Sequence, residues 1–133
     1  ILSAATERYE ASVALSERTY TDVEDAELAA TELARAGGAD TLRGYLAADT
    51  SQLRRRTAAI GLGSCGYLCA VEPLLGLLRY HVRNPKFFAE LKRLLAALTG
   101  LELESAAPAD AILRVETWAL KNPLTDPFAR ANR

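Results

Sequence analysis

Glycine-marked breaks recur along this chain at an interval near thirty residues, and that recurrence limits the folds open to it. One Ala- and Leu-rich segment ends at Gly37-Gly38, another between Gly63 and Gly66, and a third at Gly100. Gly38 and Gly66 are 28 residues apart, and Gly100 follows 34 later. After each of the first two breaks comes a further apolar-periodic segment and then a polar link. Two helices per period of about thirty residues is the pattern of an α-solenoid, whose hairpins hide their apolar faces only by stacking.

The segments read as helices because alternating β-branched and aromatic runs are missing and apolar residues recur at three and four. Phe87, Phe88, Leu91, Leu94, Leu95 and Leu98 form such a stripe. Asn84 can cap this helix, Pro85 fits its first position and Gly100 stops it. Ser3 is predicted to cap a first helix with a thin apolar face, running to about Ser16. Thr21 and Glu24 form a capping box for a helix that ends at Gly37-Gly38. A short helix follows over 39–48, and Asp49 or Thr50 caps another over 51–62. The next runs over 68–80 with Pro73 in its first turns, and the last starts near Pro108 and ends before Asn122-Pro123. The expectation is an all-α chain of about six helices, stacked as antiparallel hairpins over residues 1–121. Residues 122–133, with two prolines and little apolar content, are expected to form an extended tail.

The stretch LRRRTAAIGLGSCGYLCAVEPLLGLL, residues 53–78, resembles a short bacterial HEAT-like repeat of the kind found in phycobilin lyases. Such a repeat has an arginine-started, alanine-rich helix, a G-x-x-G turn and a second helix opening A-V-x-P-L-L. Here these are Ala58, Ala59, Leu62, Gly63 and Gly66, then Ala70, Val71, Pro73, Leu74 and Leu75. Tyr67 stands where the repeat usually carries Asp, which weakens the capping of the second helix. The preceding unit is similar but looser, and the region around Trp118 resembles the closing helix of such arrays; the resemblance covers residues 21–120. It implies that Ala58, Ala59 and Gly61 allow close helix approach, while Leu62, Val71, Leu74, Leu75 and Leu78 fill the seams.

Charge nearly cancels over 133 residues, with 16 Lys and Arg against 17 Asp and Glu, but it is segregated. Residues 1–50 carry a net −6, residues 51–93 a net +6 and residues 94–133 a net −1. The basic middle either pairs with the acidic unit before it or offers a stripe to an acidic partner, and pairing is favoured. Nucleic acid is not the expected partner: Trp is absent from that region, and the two Phe fit a buried face. The uncharged run over 57–71 is too short to span a membrane and is broken by glycines. The opening Ile1-Leu2-Ser3 and the absence of Met suggest a trimmed or processed chain, or a fragment of something larger. No signal peptide is in view, so a cytoplasmic location is expected, with a removed leader as the alternative.

Chemistry-bearing patterns are sparse. Cys65, Cys69 and His81 cannot complete a zinc shell, and both cysteines are expected as reduced thiols. Ser64 lies one residue short of a G-x-S-x-G elbow and lacks its strand; no phosphate loop is present. Glu102 and Glu104 share a turn without a partner acid. No catalysis, metal or cofactor is therefore expected. Alkylpurine DNA glycosylases of HEAT type use a basic concave surface with stacking aromatics, but need a longer array. In arrays of the resembled family the second helices line the concave surface. With the apolar positions buried, Asp40, Arg43, Glu72, Gly76, Arg79 and Arg83 face outward there, beside the small Gly76, and are predicted to bind a protein partner. Nucleic-acid or acidic-ligand binding is the alternative, and an accessory domain of an enzyme the third reading.

Overall fold

The computed structural model describes residues 2–19, 23–47 and 51–131. Among them the chain is all-helical, with helices α1 (Leu2–Thr19), α2 (Val23–Leu33), α3 (Ala39–Ala47), α4 (Gln52–Ser64), α5 (Val71–Tyr80), α6 (Pro85–Thr99) and α7 (Pro108–Lys121). A single 3₁₀ turn, Leu68–Ala70, precedes α5. The chain divides into two compact units, Ile1–Cys65 and Gly66–Arg133. The stretch over 53–78 is thereby shared between them, with α4 in the first unit and α5 in the second.

In the first unit α4 is the central element. Seven consecutive residues, Thr57 through Gly63, are buried, so this helix is covered on every side over its second half. It packs against α1, α2 and α3. Small side chains make that possible: a methyl group on Gly61 would lie 2.7 Å from the Ala30 carbonyl carbon and Cβ of α2. The facing helix offers its own small residues, with Ala26, Ala29 and Ala30 buried beside Leu33. Between α2 and α3 the chain turns through Ala34–Gly38, where Gly37 adopts φ 99°, a left-handed conformation that only glycine takes up readily. α1 contributes a narrow stripe of Ala5, Tyr9, Val13 and Ser16.

Local end signals explain most boundaries. Ser51 caps α4, its side chain accepting from the Arg54 amide at 3.1 Å. This cap sits one or two residues later than Asp49 or Thr50, which lie outside the described residues, as does Thr21 of the expected capping box. Ser3 is no cap, because α1 already begins at Leu2 and continues to Thr19. For α6 the Asn84 side chain accepts from the Phe87 amide at 3.4 Å, Pro85 opens the helix and Gly100 closes it at φ 78°.

The second unit buries Val71, Leu74, Leu75 and Leu78 of α5 against Phe87, Phe88, Leu91, Leu95 and Leu98 of α6 and Ala111 and Val115 of α7. Each aliphatic side chain so buried stabilises the fold by roughly 1.5–3 kcal/mol. The link from α6 to α7 is tied down by Leu103 and Ala106, both buried, and by Lys92, whose Nζ donates to the Glu104 and Ala106 carbonyls at 3.2 and 3.4 Å. α5 begins without a side-chain cap, as expected from Tyr67 in place of Asp, and the 3₁₀ turn takes up its start. After Lys121 there is no further helix among the described residues, yet residues 129–131 return to pair with residues 66–68.

Candidate functional site

The outward face of α5 follows from its buried one. With positions 71, 74, 75 and 78 in the core, Glu72, Gly76 and Arg79 are exposed, and Arg83 is exposed just past the helix end. Glu72, Gly76 and Arg79, three of the six predicted contact residues, therefore share one side of α5. Asp40, exposed, and Arg43, half-buried, lie one turn apart on α3 of the first unit.

Arg79 extends this surface onto α7. Its guanidinium donates to Glu116 Oε2 at 2.6 Å. On α7 Leu113 and Leu120 stand seven residues apart, close to one azimuth, and opposite the buried Ala111 and Val115. They are 58% and 85% exposed, and Tyr80 at the end of α5 is 80% exposed. The outward sides of α5 and α7 thus carry large exposed apolar side chains as well as the Arg79–Glu116 ion pair. The sequence reading missed Leu113 and Leu120. Their signal was available, since both are out of phase with the Ala111–Val115 stripe. Trp118 is half-buried on the same helix, and its carbonyl accepts from Asn122 Nδ2 at 2.8 Å.

The basic middle of the chain is largely engaged. Arg54 forms a two-pronged pair with Glu10 of α1, at 2.7 and 2.8 Å, and Arg56 pairs with Glu27 of α2 at 3.1 Å. Both arginines are largely shielded from solvent, at 18% and 28% side-chain exposure. Arg79 is held by Glu116 and Lys92 by the α6–α7 link, so these residues too have intramolecular partners.

Around Arg54 lies a polar network that sequence reading did not find. The Tyr45 hydroxyl donates to Glu10 Oε1 at 2.6 Å, and the Arg54 guanidinium lies 4.8 Å from the Tyr45 ring centre. The Tyr9 and Thr57 hydroxyls are 2.9 Å apart, and both reach the Arg54 carbonyl. Burial alone would raise the Glu10 carboxyl, but the hydrogen bonds from Tyr45 and Arg54, with the arginine charge, hold it below its ordinary value. Burial pushes the Tyr9 hydroxyl up to about 12, against the Thr57 hydrogen bond and the Arg54 charge. The Tyr45 hydroxyl is raised first by its bond to Glu10 and then by burial. Every group here is matched to another, so the network clamps α1, α3 and α4 together and presents no unspent acid or base.

Other chemistry-bearing residues are similarly placed. The His81 ring meets the Tyr80 and Phe87 rings edge-on, at 5.0 and 4.7 Å between centres. Glu102 accepts from the Ser105 hydroxyl and amide, which lowers its carboxyl, so it belongs to the turn. Cys65 and Cys69 form no disulfide. Among the described residues no three His, Cys, Asp or Glu side chains gather as a metal site. No helix of the described chain is long and apolar enough to cross a membrane. A shallow hollow of about 500 Å³ lined by Ala5, Arg8, Glu32, Arg35 and Ala36 contains the 3.2 Å ion pair of Arg8 with Glu32. Compared with known protein families, curated proteins and solved structures, the chain matches none.

Proposed function

We propose that this chain is a HEAT-type α-solenoid segment that binds another protein and does no chemistry of its own. The principal contact is the α5/α7 face of the second unit, with Glu72, Gly76, Arg79 and Arg83 beside Leu113, Leu120 and Tyr80. The observation that carries this reading is the exposure of Leu113 and Leu120 on the same side of α7 as Glu116, the partner of Arg79. Isolated exposed leucines are ordinary, but two on one azimuth beside a charged row suit the apolar stripe of a partner helix. Gly76, with nothing within 4 Å of where a side chain would begin, leaves room for backbone approach. Asp40 and Arg43 on α3 of the first unit are further contacts in this reading.

The pairing of Arg54, Arg56 and Arg79 with carboxylates speaks against a nucleic-acid surface, because a phosphate would have to displace an acid at each. The test is affinity capture with the full chain as bait, in extract with and without nuclease treatment, against a Leu113→Asp, Leu120→Asp variant. Both substitutions fall on exposed positions, so the helical circular dichroism should be unchanged. A protein captured by the parent chain and lost with the variant supports the reading. Capture that is equal for both baits, or that disappears with nuclease treatment, overturns it.

A further inference from the structure

Among the described residues an isolated β-type backbone pairing lies at the start of the second unit. The Leu68 amide donates to the Ala129 carbonyl and the Ala131 amide to the Gly66 carbonyl, both at 2.9 Å, flanking an antiparallel Tyr67–Arg130 pair. Tyr67 is the hub of the contact. Its ring is buried, its hydroxyl accepts from the Arg130 guanidinium at 2.6 Å, and that guanidinium lies 4.4 Å from its ring centre. Phe128 meets the same ring edge-on, with centres 6.4 Å apart. Phe128 reaches the ring from the turn that the Ala129 amide closes on the Asp126 carbonyl at 3.1 Å, and Arg130 reaches it from the paired stretch that follows. The Asp126 carboxylate accepts from the Phe128 amide at 2.9 Å and shapes the approach.

What holds this segment is slight. No residue from 122 to 131 is buried, and two backbone hydrogen bonds join it to residues 66–68. Each net hydrogen bond is worth only about 0.5–1.5 kcal/mol and ordering the backbone opposes it, so the contact sits at the low end of local stability. The recognition chemistry is nonetheless specific. The backbone edge at 66–68 accepts any extended chain, while the Tyr67 ring and hydroxyl select an aromatic residue and a guanidinium two positions on.

We propose that the 66–68 edge is a docking site for a peptide that pairs along it and bears an arginine there, with an aromatic residue two positions before in a preceding turn. The chain's own Phe128-Ala129-Arg130 fills that site as a displaceable strap. This site is independent of the α5/α7 face, and either can fail without the other.

The test uses the full chain and a fluorescent peptide of residues 125–131, TDPFARA, followed by anisotropy. A Phe128→Ala, Arg130→Ala chain keeps its helices, since both positions lie beyond α7, but its strap no longer competes. It should bind the peptide at least about tenfold more tightly than the parent chain, whose site is mostly occupied. A peptide carrying the same two alanines should lose binding, and Tyr67→Phe in the released chain should weaken it by removing the hydroxyl that Arg130 meets. Equal binding by parent and released chains overturns the proposal, as does binding indifferent to the peptide's Phe and Arg or no binding at all.

Discussion

Replacing Gly61 by alanine places a methyl group against backbone rather than against a side chain that can rotate away. The contact would be 2.7 Å to Ala30, about 0.7 Å short of the 3.4 Å at which ordinary contact begins. α2 and α4 must separate to admit it, and overpacking of this kind costs about 1–3 kcal/mol. Alanine returns up to about 1 kcal/mol through helix propensity and a less flexible unfolded chain. The net expectation is a loss of about 1–2 kcal/mol. Gly44 of α3 is the matched control, exposed in the same unit with nothing within 4 Å of the added methyl. There only the propensity gain operates, so Gly44→Ala should stabilise by about 0.5–1 kcal/mol. Urea unfolding followed by helical circular dichroism measures both. The chain's single tryptophan, Trp118, lies in the second unit and reports that unit alone. Gly61→Ala as stable as Gly44→Ala would refute the close approach of α2 and α4.

Leu75→Asp should unfold the second unit, since the side chain is 1% exposed and an unpaired buried charge costs several kcal/mol. Arg79→Ala removes a half-exposed ion pair and should shift stability by no more than about 1 kcal/mol. Glu10 is held below its unfolded value, so its contribution is complete above that value and is lost as pH falls through the folded one. The parent chain should therefore lose more stability than Glu10→Gln on acidification, as read from urea midpoints across pH. Tyr9 shows the opposite sign: stability should fall as pH rises from 10 towards 12, less so in Tyr9→Phe. Labelled duplex and single strands should bind weakly and let go with added salt; affinity tighter than about micromolar near physiological salt would contradict the protein-partner reading.

Features with local causes were legible in the sequence. α6 was readable at both ends because Asn84, Pro85 and Gly100 act within one turn of the positions they mark. The buried row on α5 was anticipated from the repeat-like stretch that contains it, and its exposed row followed by subtraction. The start of α1 was not, because the helix already includes Leu2 and so runs past the serine expected to cap it. The clamp of Tyr9, Glu10, Tyr45, Arg54 and Thr57 joins residues up to 48 apart, and no local rule pairs them. Acid–base attraction between the first segment and the basic middle was readable as a tendency; the specific partners Glu10 and Glu27 required coordinates. The return of Phe128 and Arg130 to Tyr67 was hidden for the same reason, since proline and polarity signal only the absence of helix.

Site-directed photocrosslinking tests the proposed binding face most directly. A photoreactive side chain at Gly76 points into open space and should leave the fold intact. The control carries the same group at Leu28, which is 63% exposed on α2 of the first unit. On irradiation in nuclease-treated extract, the account predicts a discrete protein adduct from position 76 that is absent from position 28. That adduct should disappear when Leu113 and Leu120 are both changed to aspartate. No adduct at 76, or equal adducts at both positions, would contradict a partner seated on α5 and α7.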